Sequence, residues 1–211
     1  MNNTDTFSRL DLAHIAGMIP EGATVLDVGC GDGDLLALLR DTRDVHGRGL
    51  EISREGVSAC VAKGLSVVQG NADDDLKEYP THAFDYIILT RTIQAMNRPD
   101  LAIQEALRVG KRVIVSFPNF GFWKVRARLL LNGRMPQSRA LPMEWYDTPN
   151  IHLCTIRDFV ALCQAVDNVE INRAYAASTG QTPSAFAVSG LALAKTNLLA
   201  EEAIFELGSS A

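Results

Sequence analysis

Long apolar runs are missing from this sequence. No stretch approaches the roughly 18 residues needed to cross a bilayer, so no membrane partner is expected. The first residues, Met1-Asn-Asn-Thr-Asp-Thr, have neither the basic start nor the apolar stretch of a secretory signal, and a cytoplasmic location is expected. The four cysteines (Cys30, Cys60, Cys154, Cys163) form no CxxC pair, and the four histidines (His14, His46, His82, His152) are equally scattered. Zinc-ligand spacing is therefore absent, and reduced, mostly buried thiols are expected in place of a metal site. An excess of basic charge is lacking too. The net charge is −5, which argues against a general nucleic-acid binder. Apolar residues are not scarce: at 47% of 211 residues they can build one α/β domain over 1–211, with too little chain for two of comparable size.

Elements alternate along the chain. Leu10, Leu12, Ile15 and Ile19 are spaced as on a helix over residues 8–19, stopped by Pro20-Glu-Gly22. Thr24–Gly29 reads as a buried strand entering a glycine turn, and Asp34–Arg40 as the helix after it. His46–Glu51, Leu65–Gln69, Phe84–Thr90 and Arg112–Phe117 read as further strands, with helices over Arg54–Lys63 and from Pro99 to Val109. Near-continuous apolar strands taking turns with helices predict a mostly parallel sheet covered on both faces, a Rossmann-like α/β fold. The segment from Pro118 to Asn150, with four prolines and both tryptophans, interrupts the pattern like an insertion. Thr155-Ile-Arg-Asp158 then has the spacing of a capping box opening a helix to Ala165. Val169–Tyr175 and Ala203–Leu207 are candidate last strands, and residues 176–195 offer no pattern to place.

The chemistry gathers around Asp27-Val-Gly-Cys-Gly-Asp-Gly33. A glycine turn after the first strand lets backbone approach a nucleotide without a Cβ in the way. A dinucleotide fingerprint needs its third glycine at position 34, which is Asp34; here the third is Gly33, and a P-loop lysine is missing. Asp27, Asp32 and Asp34 would repel a pyrophosphate but suit the sulfonium and ammonium groups of S-adenosylmethionine. Glu51, ending the second strand, can accept both ribose hydroxyls, and Asn71-Ala72-Asp73 can read the adenine amino group. The glycine loop residues Gly29, Cys30, Gly31 and Gly33, with Ile52 and Thr90 at neighbouring strand ends, complete the expected cofactor set for S-adenosylmethionine or S-adenosylhomocysteine. Each piece also has a structural reading: a strand-end acid can be a helix cap, and Asp73-Asp-Asp75 a solvated helix start.

Taken together these residues resemble the class I S-adenosylmethionine-dependent methyltransferases, whose fold has a mostly parallel seven-stranded sheet. More specifically they resemble the MetW family of methionine biosynthesis proteins. Val25–Gly33, Phe84–Leu89, Arg108-Val-Gly110, Ser116–Gly121, Gly133–Pro136 and Trp145–His152 carry the likeness, which covers roughly 9–165 with a partial return near 197–207. It implies a role beside a homoserine O-acyltransferase of the α/β-hydrolase type, with the nucleophilic serine chemistry in that partner. Arg91, where a residue such as Gln is expected, and Phe122, where relatives often have His, are departures near the mouth of the pocket.

Methyl transfer needs positioning and a dry pocket more than catalytic groups, so an autonomous small-molecule methyltransferase is the alternative reading. Its candidate acceptor-pocket residues are Arg91, Gln94, Trp145, Tyr146 and His152, each of which could instead support the fold. From Ala106 to Met143 there are eight basic residues (Arg108, Lys111, Arg112, Lys124, Arg126, Arg128, Arg134, Arg139) and no acid. A helix over 122–131 would place Phe122, Val125 and Leu129 on one stripe with Lys124 and Arg128 opposite, a mixture that suits a partner surface or a solvated basic helix.

Overall fold

The computed structural model describes residues 3–178 and 180–210, with side chains described from Asp11 onward. Leu10, counted above in the first apolar stripe, thus lies outside the described side chains. The strands are β1 (Thr24–Val28), β2 (His46–Glu51), β3 (Ser66–Gln69), β4 (Phe84–Thr90), β5 (Gly110–Pro118), β6 (Val169–Ala177), β7 (Ser184–Ala185) and β8 (Glu202–Ser209). The helices are α1 (Asn3–Met18), α2 (Asp34–Arg43), α3 (Arg54–Ala62), the single turn α4 (Ala72–Asp75), α5 (Pro99–Val109), α6 (Trp123–Asn132), α7 (Ile156–Ala165) and α8 (Gly190–Leu199).

Local chemistry sets these boundaries. Ser53 caps α3 by accepting from the Gly56 N–H. The expected box opens α7: the Thr155 hydroxyl accepts from the Asp158 N–H, while the Asp158 carboxylate accepts from the Thr155 N–H. Gly133, at φ +60°, ends α6 in the left-handed conformation that glycine adopts at least cost.

The strands form one sheet in the order β3-β2-β1-β4-β5-β8-β6-β7. It is parallel from β3 to β5 and antiparallel beyond. The sheet therefore has eight strands where seven were expected. The extra one, β7, is a two-residue edge pairing with β6, from a Ser, Thr, Gly and Ala-rich stretch without the alternation that announces a strand. The same unplaced stretch supplies the start of α8.

Strand alternation divides the core. Leu26, Val28, Ile87, Leu89, Val113, Val115 and Phe117 pack with α5 and α7 on one face. Val25, Ile88, Ile114 and Ile204 pack with α1 and α2 on the other. After β3 the chain passes β1 to lay down β4, so strand order reverses between β1 and β4, and a crevice forms at their carboxyl ends. No helix among the described residues is long and apolar enough to cross a membrane.

Phe205, fully buried on β8, holds the antiparallel half to the parallel half. Its ring stacks on Phe117 at 5.9 Å between centroids and meets Phe159 at 4.8 Å and Phe186 at 5.9 Å. Phe205→Ala should destabilise the protein by about 3–5 kcal/mol, read as a lowered urea midpoint with an unchanged slope.

Candidate functional site

The site is built at the point of strand reversal. β1 delivers Asp27 to a fully buried position, and Gly29, Gly31 and Gly33 follow at φ +73°, +56° and +80°. The three glycines are needed for different reasons. A Cβ on Gly29 would lie 2.7 Å from the Thr92 hydroxyl, and one on Gly33 2.5 Å from Leu65 Cδ1 and 2.8 Å from Cys60 Sγ. A Cβ on Gly31 would meet nothing within 4 Å. Two glycines thus pack the loop against its own protein, while the third faces open space that a ligand could fill.

Carboxylates surround that space. Glu51 is buried, its Oε2 accepting from the Gly31 N–H at 2.9 Å and its Oε1 from the Ser53 N–H at 2.8 Å. It is not the cap of α3, a role taken by Ser53. Each oxygen keeps a further lone pair for a hydroxyl donor. Next to it Ile52 exposes 66% of its surface, an apolar flat against which a base could lie. Asn71 caps α4 by accepting from the Asp73 N–H, so the helix-start reading of this acidic run holds. Ala72 begins the turn, and Asp73 accepts from the Asn97 backbone and side-chain amides.

Asp27 has the costliest environment of the set. Its Oδ1 is buried without a hydrogen-bond partner among the described residues. Burial, with the Glu51 charge adding to it, pushes its carboxyl up to about 7. Thr90 Oγ1, two residues beyond the Ile88 that pairs with Asp27, is likewise buried and unpartnered. Cys30 lies beneath the loop with its sulfur 3.7 Å from that of Cys60; burial raises both thiols, as expected of inert packing groups. All four cysteines are free, and no metal-holding cluster occurs among the described residues.

The acceptor-pocket candidates are divided. Arg91, at φ +56°, bonds Glu202 Oε1 at 2.5 Å and lies 3.7 Å from Asp11 Oδ2, tying the end of β4 to β8 and α1. Burial raises both acids, and the Arg91 cation opposes it. Arg91 and Trp145 line one cavity of about 280 Å³, with Met135, Met143 and Ile151. Gln94 and His152 line another of about 370 Å³, with Cys154 and Phe159. The buried Gln94 side chain donates to the Pro118 carbonyl and Cys154 Sγ while its Oε1 has no partner among the described residues, and the Gln94 backbone carbonyl accepts from the Ile151 and His152 N–H groups. Tyr146 stands on the surface, 71% exposed, edge-on to Trp145.

Sequence reasoning passed over three groups. Thr92 donates to the Val28 and Thr90 carbonyls and closes the loop over Gly29. Asn119, fully buried, donates to the Asn197 and Ala200 carbonyls and accepts from the Gly121 and Ile156 N–H groups, so one amide ties the turn before α6 and the start of α7 to the end of α8. The Asp11–Glu202 pair explains what holds Arg91. A polar residue directly after a strand-ending proline was the available signal for Asn119; the other two needed three-dimensional neighbours.

The Asp27 carboxyl makes stability depend on pH in a stated direction. Its folded value, about 7, exceeds the ordinary 3.8, so the folded state holds the proton more tightly between them. The stability it contributes is present below the lower value and is lost as pH rises through about 7. Asp27→Asn should flatten that part of the profile and be better tolerated at pH 8 than at pH 5, checked by urea unfolding at both; the slope from the Asp11–Glu202 pair should remain.

Comparisons place this geometry. The model of the family described as "Methionine biosynthesis protein MetW" matches residues 9–207, joining the two stretches that carried the likeness in sequence. A bifunctional methionine biosynthesis protein MetXA/MetW from Rhodopirellula baltica is 34% identical over 164 residues, 74% of this chain. The chain spans about a quarter (26%) of that relative's length. Among solved structures, a SAM-dependent methyltransferase from Thermotoga maritima aligns at TM-score 0.71 and 15% identity, covering 99% of this chain and 92% of the other. One from Archaeoglobus fulgidus aligns at 0.64 and 13%, covering 98% and 94%. The [4+2]-cyclase SpnF aligns at 0.63 and 17%, covering 97% and 81%. These likenesses give the fold, that of class I methyltransferases. With nearly its whole length matched, the chain belongs to the MetW family of methionine biosynthesis proteins.

Proposed function

We propose that this protein binds S-adenosylmethionine, or its product S-adenosylhomocysteine, at the Asp27–Gly33 loop. We propose further that it supports a homoserine O-acyltransferase partner in methionine synthesis. The observation that carries the first part is the pairing of an unpartnered, buried Asp27 oxygen with a Gly31 whose Cβ would stand in open space. A buried carboxylate without a partner is costly, and a cationic ligand removes the cost. S-adenosylmethionine brings an ammonium and a sulfonium, and a ribose and adenine that suit Glu51 and Ile52. Asp73 and the Asn71–Ala72 turn are the groups we assign to the adenine edge, and Thr90 to the amino-acid end.

The partner is supported by a relative whose name joins MetXA to MetW in one chain, of which this sequence matches only a part. We take MetXA to stand for the acyltransferase, of the α/β-hydrolase type, and the present protein to act on it as one folded unit. A supporting role is preferred to autonomous methyl transfer because the acceptor candidates are split between two cavities and Arg91 is held by carboxylates. The fold does not itself assign methyl transfer.

Two measurements test this. In calorimetric titration S-adenosylmethionine should bind the wild type, and Gly31→Ala should weaken binding at least tenfold. Because nothing surrounds the added Cβ, unfolding should move by only about 1 kcal/mol, the cost of a left-handed alanine. Purified acyltransferase should convert homoserine faster with this protein than without it, and the increment should respond to the two adenosyl compounds. No complex and no change in rate would sink the supporting role.

A further inference from the structure

From Trp123 to Leu153 the chain leaves an unusual amount of apolar surface in water. Leu130 and Leu131, the last leucines of α6, are 84% and 80% exposed, and Trp145 is 69% exposed. Trp123, Leu129, Met135, Met143 and Ile151 are exposed as well. The expected stripe of Phe122, Val125 and Leu129 thus ends early: Phe122 and Val125 are buried, while Leu129 faces outward with its two neighbours. Met135, Met143, Trp145, Ile151 and Leu153 line a single groove of about 280 Å³, and the bond from Arg128 to the Gln137 carbonyl holds α6 beside that groove's wall. Scattered surface leucines need no explanation, but clustered Trp, Met and Leu do.

Charge identifies what would cover this face. The eight basic residues fall into two groups. Arg108 is held by Glu105 and backbone carbonyls, Lys111 by Asp85 and Arg112 by Glu206, all within the fold. Lys124, Arg126, Arg128, Arg134 and Arg139 form no ion pair among the described residues, and all five are exposed. Lys124 lies over the Phe122 and Trp123 rings, Arg126 bonds the Gly121 carbonyl and Arg128 the Gln137 carbonyl; among the described residues Glu201 is the one acid lining a cavity with Lys124, Arg128 and Arg139, so the cations outnumber it.

We infer that this face, Leu130, Leu131, Met135 and Trp145 flanked by Lys124, Arg128, Arg134 and Arg139, seats a protein partner presenting an apolar ridge bordered by carboxylates. The inference rests on the partnership proposed above and names the surface that makes it. Aromatic, Met and Arg residues are the types enriched in such interfaces. A two-fold contact centred on α6 would set its cations against their own images, which favours a partner carrying carboxylates over a second copy there. No residue of the glycine loop lines the groove, so a ligand there and a partner here use different side chains.

The test uses the full-length protein and the purified homoserine O-acyltransferase of the same cell, with complex formation followed by sedimentation velocity. The double variant Leu130→Asp/Leu131→Asp should weaken the complex tenfold or more while S-adenosylmethionine binding and the unfolding midpoint stay put. The reversal Arg134→Glu/Arg139→Glu should slow association, most visibly at low salt. If the wild type forms a complex that both variants preserve, the surface assignment is wrong and the partnership stands. If the wild type forms none, the partnership falls and takes this surface with it. A wild-type homodimer abolished by the leucine variant would give the face to a second copy and overturn the proposal.

Discussion

A carboxylate without a partner, buried at the end of a strand, is the constraint around which this molecule is arranged. Asp27 occupies a position that alternation along β1 would otherwise give to an apolar residue like Val25. Burial there pushes its carboxyl up to about 7. Such a position is tolerated when the surrounding core over-determines the backbone and a ligand supplies the missing charge. The core does so here: β1 is central, paired to β2 and β4 over most of its length, with neighbours buried on both faces.

The surrounding site follows from that placement. Strand reversal between β1 and β4 opens the crevice, and Thr92 from one side meets Gly29 from the other. Glu51 uses its carboxylate to steady the Gly31 and Ser53 amides, so the group expected to hold a ribose also shapes the loop. Arg91 joins the crevice to α1 and β8 through Asp11 and Glu202. The end of a crevice strand and the antiparallel half are thereby joined through one residue.

Much of the fold was legible because periodicity reports burial directly. The apolar runs of β1, β4 and β5, buried on both faces, announced themselves as strands of a parallel sheet. The capping box at Thr155 is local chemistry, readable without neighbours. β7 and α8 were not legible, since a two-residue edge strand is defined by its partner and α8 is apolar nearly all round. Within the site, residue types and order gave the glycine loop and its acids. What they could not give was the use each group is put to: that Asn71 caps a turn, that Arg91 is held by two acids, and that Gln94 organises the 151–152 backbone. Those are facts of contact. The basic stretch is the sharpest instance, because eight cations alike in sequence separate into three that hold the fold together and five that face water.

The central claim, that the buried Asp27 carboxyl awaits a cationic ligand, has a direct test in proton linkage. S-adenosylmethionine should be titrated calorimetrically near pH 6.5 in buffers of different ionisation enthalpy, for the wild type and for Asp27→Asn. If Asp27 meets the ligand's positive charge, binding lowers its carboxyl from about 7 and expels a proton. The account then predicts proton release by the wild type, affinity rising from pH 6 to 8, and neither effect in the variant. Tight binding with no proton exchange and no dependence on pH would contradict it.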